Sequence, residues 1–337
     1  MSKINDILNR REFIVKAILG GFAFVYGCKK ESASSLDDGN SYQPTPITKS
    51  KIALHKTQDR KEGVHTVMDL LDFPPMQNKH VVVKPNFNTS DPAPASTHNN
   101  TLRQLITEIK SRGVSDITLA ERSYQSFNEV ITEKGIQEMA DELGFNIQNL
   151  NSVDGEYTVF NRENLNWDNG FRVPNIINEA EYIVATCCLK THHTGVITMS
   201  LKLGVGILPA MHMDELHSSL NINSMIAEIN LAYKPDLIVM DGVKAFISGG
   251  PSRGTLAEGN VILAGTDRIA IDAVGSAILI ELGSTRVQRG HIFELEQINR
   301  AVELGIGINS PLKIEFVTAN DESRDYAEKI REILVEG

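Results

Sequence analysis

Short β-rich runs alternate along this chain with stretches whose apolar residues recur every three or four positions, the spacing of a helix with one buried face. Residues Lys51 to Lys56 read as a strand, and a helix follows near Glu62 to Leu71. His80-Val81-Val82-Val83-Lys84 is a buried strand that stops at Pro85, since proline cannot donate to a hydrogen-bonded ladder. Leu102, Leu105, Ile106 and Ile109 share one face of a helix running to Arg112, with Gly113 as its C-cap. Further strands are predicted at Asp116 to Ala120, Phe145 to Leu150, Tyr182 to Cys187, Leu237 to Met240, Val261 to Leu263 and Ile314 to Thr318, with helices between most of them. Such alternation predicts an α/β fold, a mostly parallel sheet with helices on both faces, built as one domain over residues 51–337 or as two intimate lobes. Residues Asn151 to Val173 are polar, aromatic and without period, which predicts a hairpin or excursion off the sheet. No internal repeat is present.

Ligands of parallel sheets bind where strands end, so polar side chains directly after a predicted strand are the first candidates for chemistry. The densest group is Lys190-Thr191-His192-His193, followed by Lys202 and the glycines Gly204 and Gly206. An imidazole exchanges protons near neutral pH and can ligate a metal, so either His192 or His193 is a candidate acid/base residue. Lys190 and Lys202 suit an anion, with Thr191 beside them. A second group follows the strand at Leu237: Asp241, then the Gly249-Gly250-Pro251-Ser252-Arg253 loop, whose glycines and guanidinium suit phosphate or carboxylate. Lys84 and Asn86 flank Pro85 at a third strand end, and Asp267 starts a helix after a fourth, with Asp272 one turn further in. His212 and His217 are five apart, not the four that puts two zinc ligands on one helix face, and read as a solvated helix start.

The amino terminus has a different logic. Asn9-Arg10-Arg11-Glu12-Phe13-Ile14-Val15-Lys16 carries the paired arginine of a twin-arginine export signal. The apolar run from Ala17 to Tyr26 is half the length of a bilayer-spanning helix, which needs about 20 residues, and so reads as a signal core. Val25-Tyr26-Gly27-Cys28 is lipobox-like, with a bulky Tyr26, and makes Cys28 the candidate lipidation site. Residues 29–50 are polar and small and are predicted to form a disordered tether. These features predict an exported protein, in the periplasm or outer cell envelope, held to the membrane by an N-terminal lipid anchor.

The 337 residues carry a net charge of −10, and removing residues 1–27 makes it more acidic still. An acidic body with no basic stripe argues against nucleic acid as a partner. Beyond Cys28 the only cysteines are Cys187 and Cys188, whose adjacency disfavours a disulfide and provides no spacing for an iron–sulfur cluster.

Taken together, Lys84-Pro85-Asn86, Leu189-Lys190-Thr191-His192 with Thr198 and Lys202, Asp241-Gly242 with Gly249-Gly250-Pro251, and Ala264-Gly265-Thr266-Asp267 with Ala270 and Asp272 resemble the family designated domain of unknown function 362, over about Ile52 to Leu282. Many members of that family carry a ferredoxin-like module. This chain lacks the cysteines for one, and it has Leu203 after Lys202 where the family often has Asn. His192, Lys202 and Leu208-Pro209 also resemble a segment of nickel-pincer lactate racemases, a likeness implying an acid/base role for His192 and a cofactor or anion contact for Lys202. The expectation is therefore an exported protein that binds a small anionic molecule or a metal-containing cofactor. It is either an acid/base enzyme or a non-catalytic binding or assembly lipoprotein.

Overall fold

The computed structural model describes residues 49–152 and 156–336; the predicted signal, Cys28 and all but the last two residues of the predicted tether lie outside them. The first half builds β1 (Ser50–Lys56), α1 (Arg60–Asp69), β2 (His80–Lys84), α2 (Asn99–Ser111), β3 (Asp116–Glu121), α3 (Phe127–Glu133), α4 (Ile136–Leu143) and β4 (Asn146–Asn149). A small hairpin of β5 (Tyr157–Phe160) and β6 (Phe171–Pro174) then leads through α5 (Asn175–Asn178) to β7 (Tyr182–His192). The hairpin is the predicted excursion: among the described strands it pairs only with itself. After β8 (Val196–Ile197) come α6 (Ser200–Leu203), α7 (Met213–Ser218), α8 (Ile222–Ile229), β9 (Leu237–Gly249), β10 (Gly254–Glu258), β11 (Val261–Gly265), α9 (Arg268–Glu281), α10 (Glu296–Glu303), β12 (Ile314–Val317) and α11 (Asp321–Val335).

One ten-stranded sheet runs in the order β12-β1-β11-β9-β7-β2-β3-β4, with β10 added to β9 and β8 to β7. The strands β9-β7-β2-β3-β4 are parallel, whereas β11 is antiparallel to both neighbours. Alternate residues of each strand enter different cores. Ile52, Leu54, Val82, Ile183 and Met240 pack with α6, α8, α9 and α11 on one face, and Ala53, Val81, Val83, Val184 and Val239 pack with α1, α2 and α4 on the other. Period-two alternation with both sides apolar is what burial between two helical layers requires.

Two strands run five or more residues past their predicted ends. β7 continues five residues past Cys187 and is buried along its whole length, and β9 continues past Met240 to Gly249. Lys190, Thr191 and His192 thus lie within a strand, so Lys190 and His192 face one way and Thr191 the other.

Candidate functional site

The chain steps outward from β2 to β3 and β4, then returns to add β7 and β9 on the far side of β2. The connection after β2 leads to α2 on one face, and that after β7 to α6 and α8 on the other. At such a reversal neighbouring strand ends part and open a crevice for ligand. Here it is a cavity of about 530 Å³, inside the usual range for small-molecule sites.

Its floor is built from strand ends. Lys84, at the end of β2, places Nζ 2.6 Å from Glu121 Oε1 at the end of β3 and donates to the Pro85 carbonyl at 2.8 Å. Glu121 also accepts the backbone N–H groups of Arg122 and Phe87, so both its oxygens are engaged. Burial pulls Lys84 down and pushes Glu121 up from their ordinary values, and their mutual contact opposes both shifts. Gly206 lies directly on the pair: a Cβ there would come within 2.6 Å of both charged atoms. Lys190 donates to Asn86 Oδ1 at 2.7 Å and to the Ala95 carbonyl at 2.6 Å; an ammonium has three donors, and the residue lines the cavity.

Two further cations are differently placed. The ammonium of Lys202 and the guanidinium of Arg122 make neither a hydrogen bond nor an ion pair with any described residue, although both line the cavity and Arg122 is only 9% exposed. Burial draws Arg122 below its ordinary value. Burial first, then Lys190 and Arg122, draws Lys202 down to about 8. Lys202 is held in position by Asp272, which lies on α9 and accepts the N–H groups of Ser200 and Leu201 at the start of α6.

His192 and His193 close β7 with their rings stacked, centroids 4.6 Å apart. His192 Nδ1 accepts the backbone N–H groups of Thr194 and Gly195, both at 3.1 Å. Burial, followed by the charges of Lys202, His193, Lys190 and His217, lowers its pKa to about 3, so the ring is neutral at physiological pH. His193 is exposed at the rim and places Nδ1 2.8 Å from the Gly250 carbonyl. Tyr124, Met213, Asp214, His217, Ile222, Pro251 and Ser252 complete the mouth.

Lys84, Asn86, Lys190, Lys202, His192 and His193 therefore converge, while the other candidates do not line the cavity. Thr191 Oγ1 donates to the Phe246 carbonyl on β9, on the opposite side of its strand from Lys190. Asp241 faces the α1–α2 layer, where it accepts from Arg60 Nε at 2.7 Å and Thr101 Oγ1 at 2.6 Å. Asp267 caps α9 by accepting the N–H of Ala270 and also receives that of Ile308. Gly249 and Gly250 take positive φ, and a Cβ on Gly250 would collide with the Thr191 carbonyl, so these glycines shape the wall through backbone alone. Arg253 is exposed, and it is Pro251 and Ser252 that reach the cavity. His212 is buried rather than solvated: its Nε2 accepts the Arg172 N–H and pins the hairpin at β6.

Glu121 and Arg122 lie one and two residues past Ala120, the predicted end of β3, so the strand-end position that marks the other floor residues falls just short of them in the sequence. Arg286, which donates to the His193 carbonyl at 2.9 Å, and Gln297, which donates to the Gly195 carbonyl at 2.8 Å, lie about 100 residues downstream of the pair in sequence, and no local pattern marks them.

A bare divalent cation does not fit this floor, where four basic side chains face one carboxylate whose oxygens are already bonded. Among the described residues, the group that brings three ligating side chains together is His65, Asp69 and Glu108, away from the cavity, and there Arg112 already bonds both carboxylates.

The family model for Domain of unknown function (DUF362) matches residues 81–277, which include every floor residue. A thylakoid-associated protein of Synechocystis sp. is 28% identical over 116 residues, covering 33% of this chain and 36% of that protein. The chain thus spans about a third of that relative's length. The lactate racemase apoprotein of Thermoanaerobacterium thermosaccharolyticum shares 11% identity at a TM-score of 0.40, over 58% of this chain and 50% of that one.

Proposed function

Because the chain belongs to the DUF362 family, whose matched segment supplies the whole floor of the crevice, we propose that this family fold serves here as a receptor for a small organic oxyanion carrying two or more negative charges. One observation carries the reading: Arg122 and Lys202 project cationic groups into the cavity without a partner among the described residues. A buried charge left unpaired costs several kcal/mol, and a fold keeps such groups where a ligand compensates them. Lys84, Lys190, Lys202 and Arg122 exceed the single floor carboxylate Glu121 by three charges, which selects a polyanion over a monoanion. The cavity is far larger than an inorganic oxyanion, and Leu203, Val205, Met213 and Ile222 line part of it, so an organic body accompanies the charged end.

The two histidines give this receptor the means to move a proton on its ligand, which makes it an acid/base enzyme. The protein works outside the cytoplasm, delivered by the Arg10-Arg11 signal and tethered through lipid on Cys28. Any metal reaches the cavity as part of an anionic cofactor, for which the lysines and Arg122 provide contacts.

Titration calorimetry of the full chain with inorganic phosphate and with citrate tests the receptor reading. Both should bind, citrate more tightly, and Lys202→Met together with Arg122→Met should abolish the heat; binding unaffected by that pair of changes would sink it. Fractionation tests the address: Cys28→Ala should release the protein from membranes, and Arg10→Lys with Arg11→Lys should leave it in the cytoplasm.

A further inference from the structure

The stacked histidines at the end of β7 differ in what their Nδ1 atoms touch. His192 Nδ1 faces two backbone N–H groups, those of Thr194 and Gly195, each at 3.1 Å. A ring nitrogen that accepts cannot carry the proton, so the neutral His192 ring is protonated at Nε2. His193 Nδ1 faces the Gly250 carbonyl at 2.8 Å, and a carbonyl only accepts. That nitrogen holds the proton, which leaves the lone pair of neutral His193 on Nε2.

Both arrangements are fixed by the surrounding fold. Gln297 Nε2 donates to the carbonyls of Gly195 and Ile197, which orients the turn whose amides point at His192, and a side chain at Gly195 would crowd Gln297 Nε2 at 2.8 Å. Arg286 donates to the carbonyls of His193 and His192, at 2.9 and 3.4 Å. Gly250 takes its positive φ against the end of β7, which aims its carbonyl at His193.

We infer that the pair divides the chemistry of the cavity, His192 acting as a permanent hydrogen-bond donor to the bound anion and His193 as the proton acceptor. The inference rests on the oxyanion reading and narrows it. The ligand turns its oxygens toward His192 Nε2–H, Lys202 and Arg122 and a proton-bearing group toward His193 Nε2. In the step this allows, the ligand's proton passes to His193 Nε2, the electron pair of the broken bond stays on the ligand, and the new negative charge is met by the His192 N–H and the Lys202 ammonium. A neutral imidazole that donates without giving up its proton is a known way to polarise an oxygen.

The full chain labelled with nitrogen-15 at histidine, studied by long-range proton–nitrogen correlation near pH 7, tests the assignment without any ligand. His192 should display a protonated Nε2 and a bare Nδ1, and His193 in its neutral form the reverse, each identified by the signal lost in His192→Gln or His193→Gln. A protonated Nδ1 on His192, or rapid averaging between its two tautomers, would overturn the inference. Inorganic phosphate then serves as the probe of the donor. His192→Gln, which returns an N–H near the position of Nε2, should bind within about threefold of wild type, and His192→Asn, whose amide stops short, should bind about tenfold more weakly. Equal affinities in the two variants count against the donor role. If phosphate fails to bind even the wild type, the oxyanion reading falls, while the nitrogen spectrum still decides the tautomers.

Discussion

The carboxylate of Asp272 accepts the backbone N–H of Ser200 at 2.7 Å, from the middle of α9 to the first residue of the turn that carries Lys202. The second oxygen takes the N–H of Leu201 at 3.0 Å. Burial pushes Asp272 up to about 7, against the pull of those two amides. Asparagine keeps one acceptor and turns a donor toward the other amide. The neutral carboxyl present at acid pH does much the same, so Asp272→Asn should cost less than about 1 kcal/mol there, and it should weaken phosphate binding by displacing Lys202. The folded pKa lies above the unfolded one, so the wild-type contribution is complete below about pH 4 and is lost as pH rises through 7. The variant has no group to titrate there, so it should gain on wild type over that interval when both are measured by denaturant unfolding.

Lys202 titrates with the opposite sign. Its folded value, about 8, lies below the unfolded one, so the unfolded chain binds more protons between about pH 8 and 10.5 and stability rises with pH there. Below pH 8 the ammonium is a liability of the ligand-free fold. Lys202→Met should melt at a higher temperature than wild type at pH 7 without ligand, and the advantage should vanish by about pH 10.5. Millimolar phosphate should reverse the order at pH 7. A variant less stable than wild type at pH 7 without ligand would show that the ammonium has a partner after all.

Removing one member of the Lys84–Glu121 pair leaves the other charge buried at about 1% exposure. Glu121→Gln should destabilise the fold by about 3–5 kcal/mol, because Lys84 then lacks its counter-charge and the Phe87 and Arg122 amides lose a charged acceptor. Thermal unfolding near pH 7 checks this. A loss under 1 kcal/mol would mean that Lys84 sheds its proton instead.

Gly250 meets backbone, not a side chain that can move aside. Its φ of +74° already strains any other residue, and the added Cβ would strike the Thr191 carbonyl. Gly250→Ala should cost at least about 2 kcal/mol and free the His193 ring, which would appear as tautomer averaging in its nitrogen spectrum.

Much of this was written in the sequence, and the remainder shares a physical reason. The apolar runs at His80 to Lys84 and Tyr182 to Cys187 found their strands because burial on both faces leaves an uninterrupted hydrophobic signature. The same logic mislaid the ends of β7 and β9. Lys190, Thr191 and Asp241 are polar yet buried, each satisfied by a partner 50 to 180 residues away, and no local pattern announces such partners. Asp241 and Asp267 looked like ligand contacts for the converse reason: a carboxylate at a strand end reads identically whether it awaits an anion's counter-ion, pairs with Arg60 or caps α9.

β1 lies between β11 and β12, joining Ile52 to Gly265 and Ser50 to Ile314. The first of the described strands thus has to wait for the last two of them. At the usual pace of translation, about 5–20 residues per second, more than 200 residues emerge before β1 meets its first neighbour, an interval of about 10–40 s. Closing so wide a loop is also slow in its own right. During that time the apolar side of β1 must be kept from other chains, and the crevice, whose wall includes the loop after β9, stays unfinished.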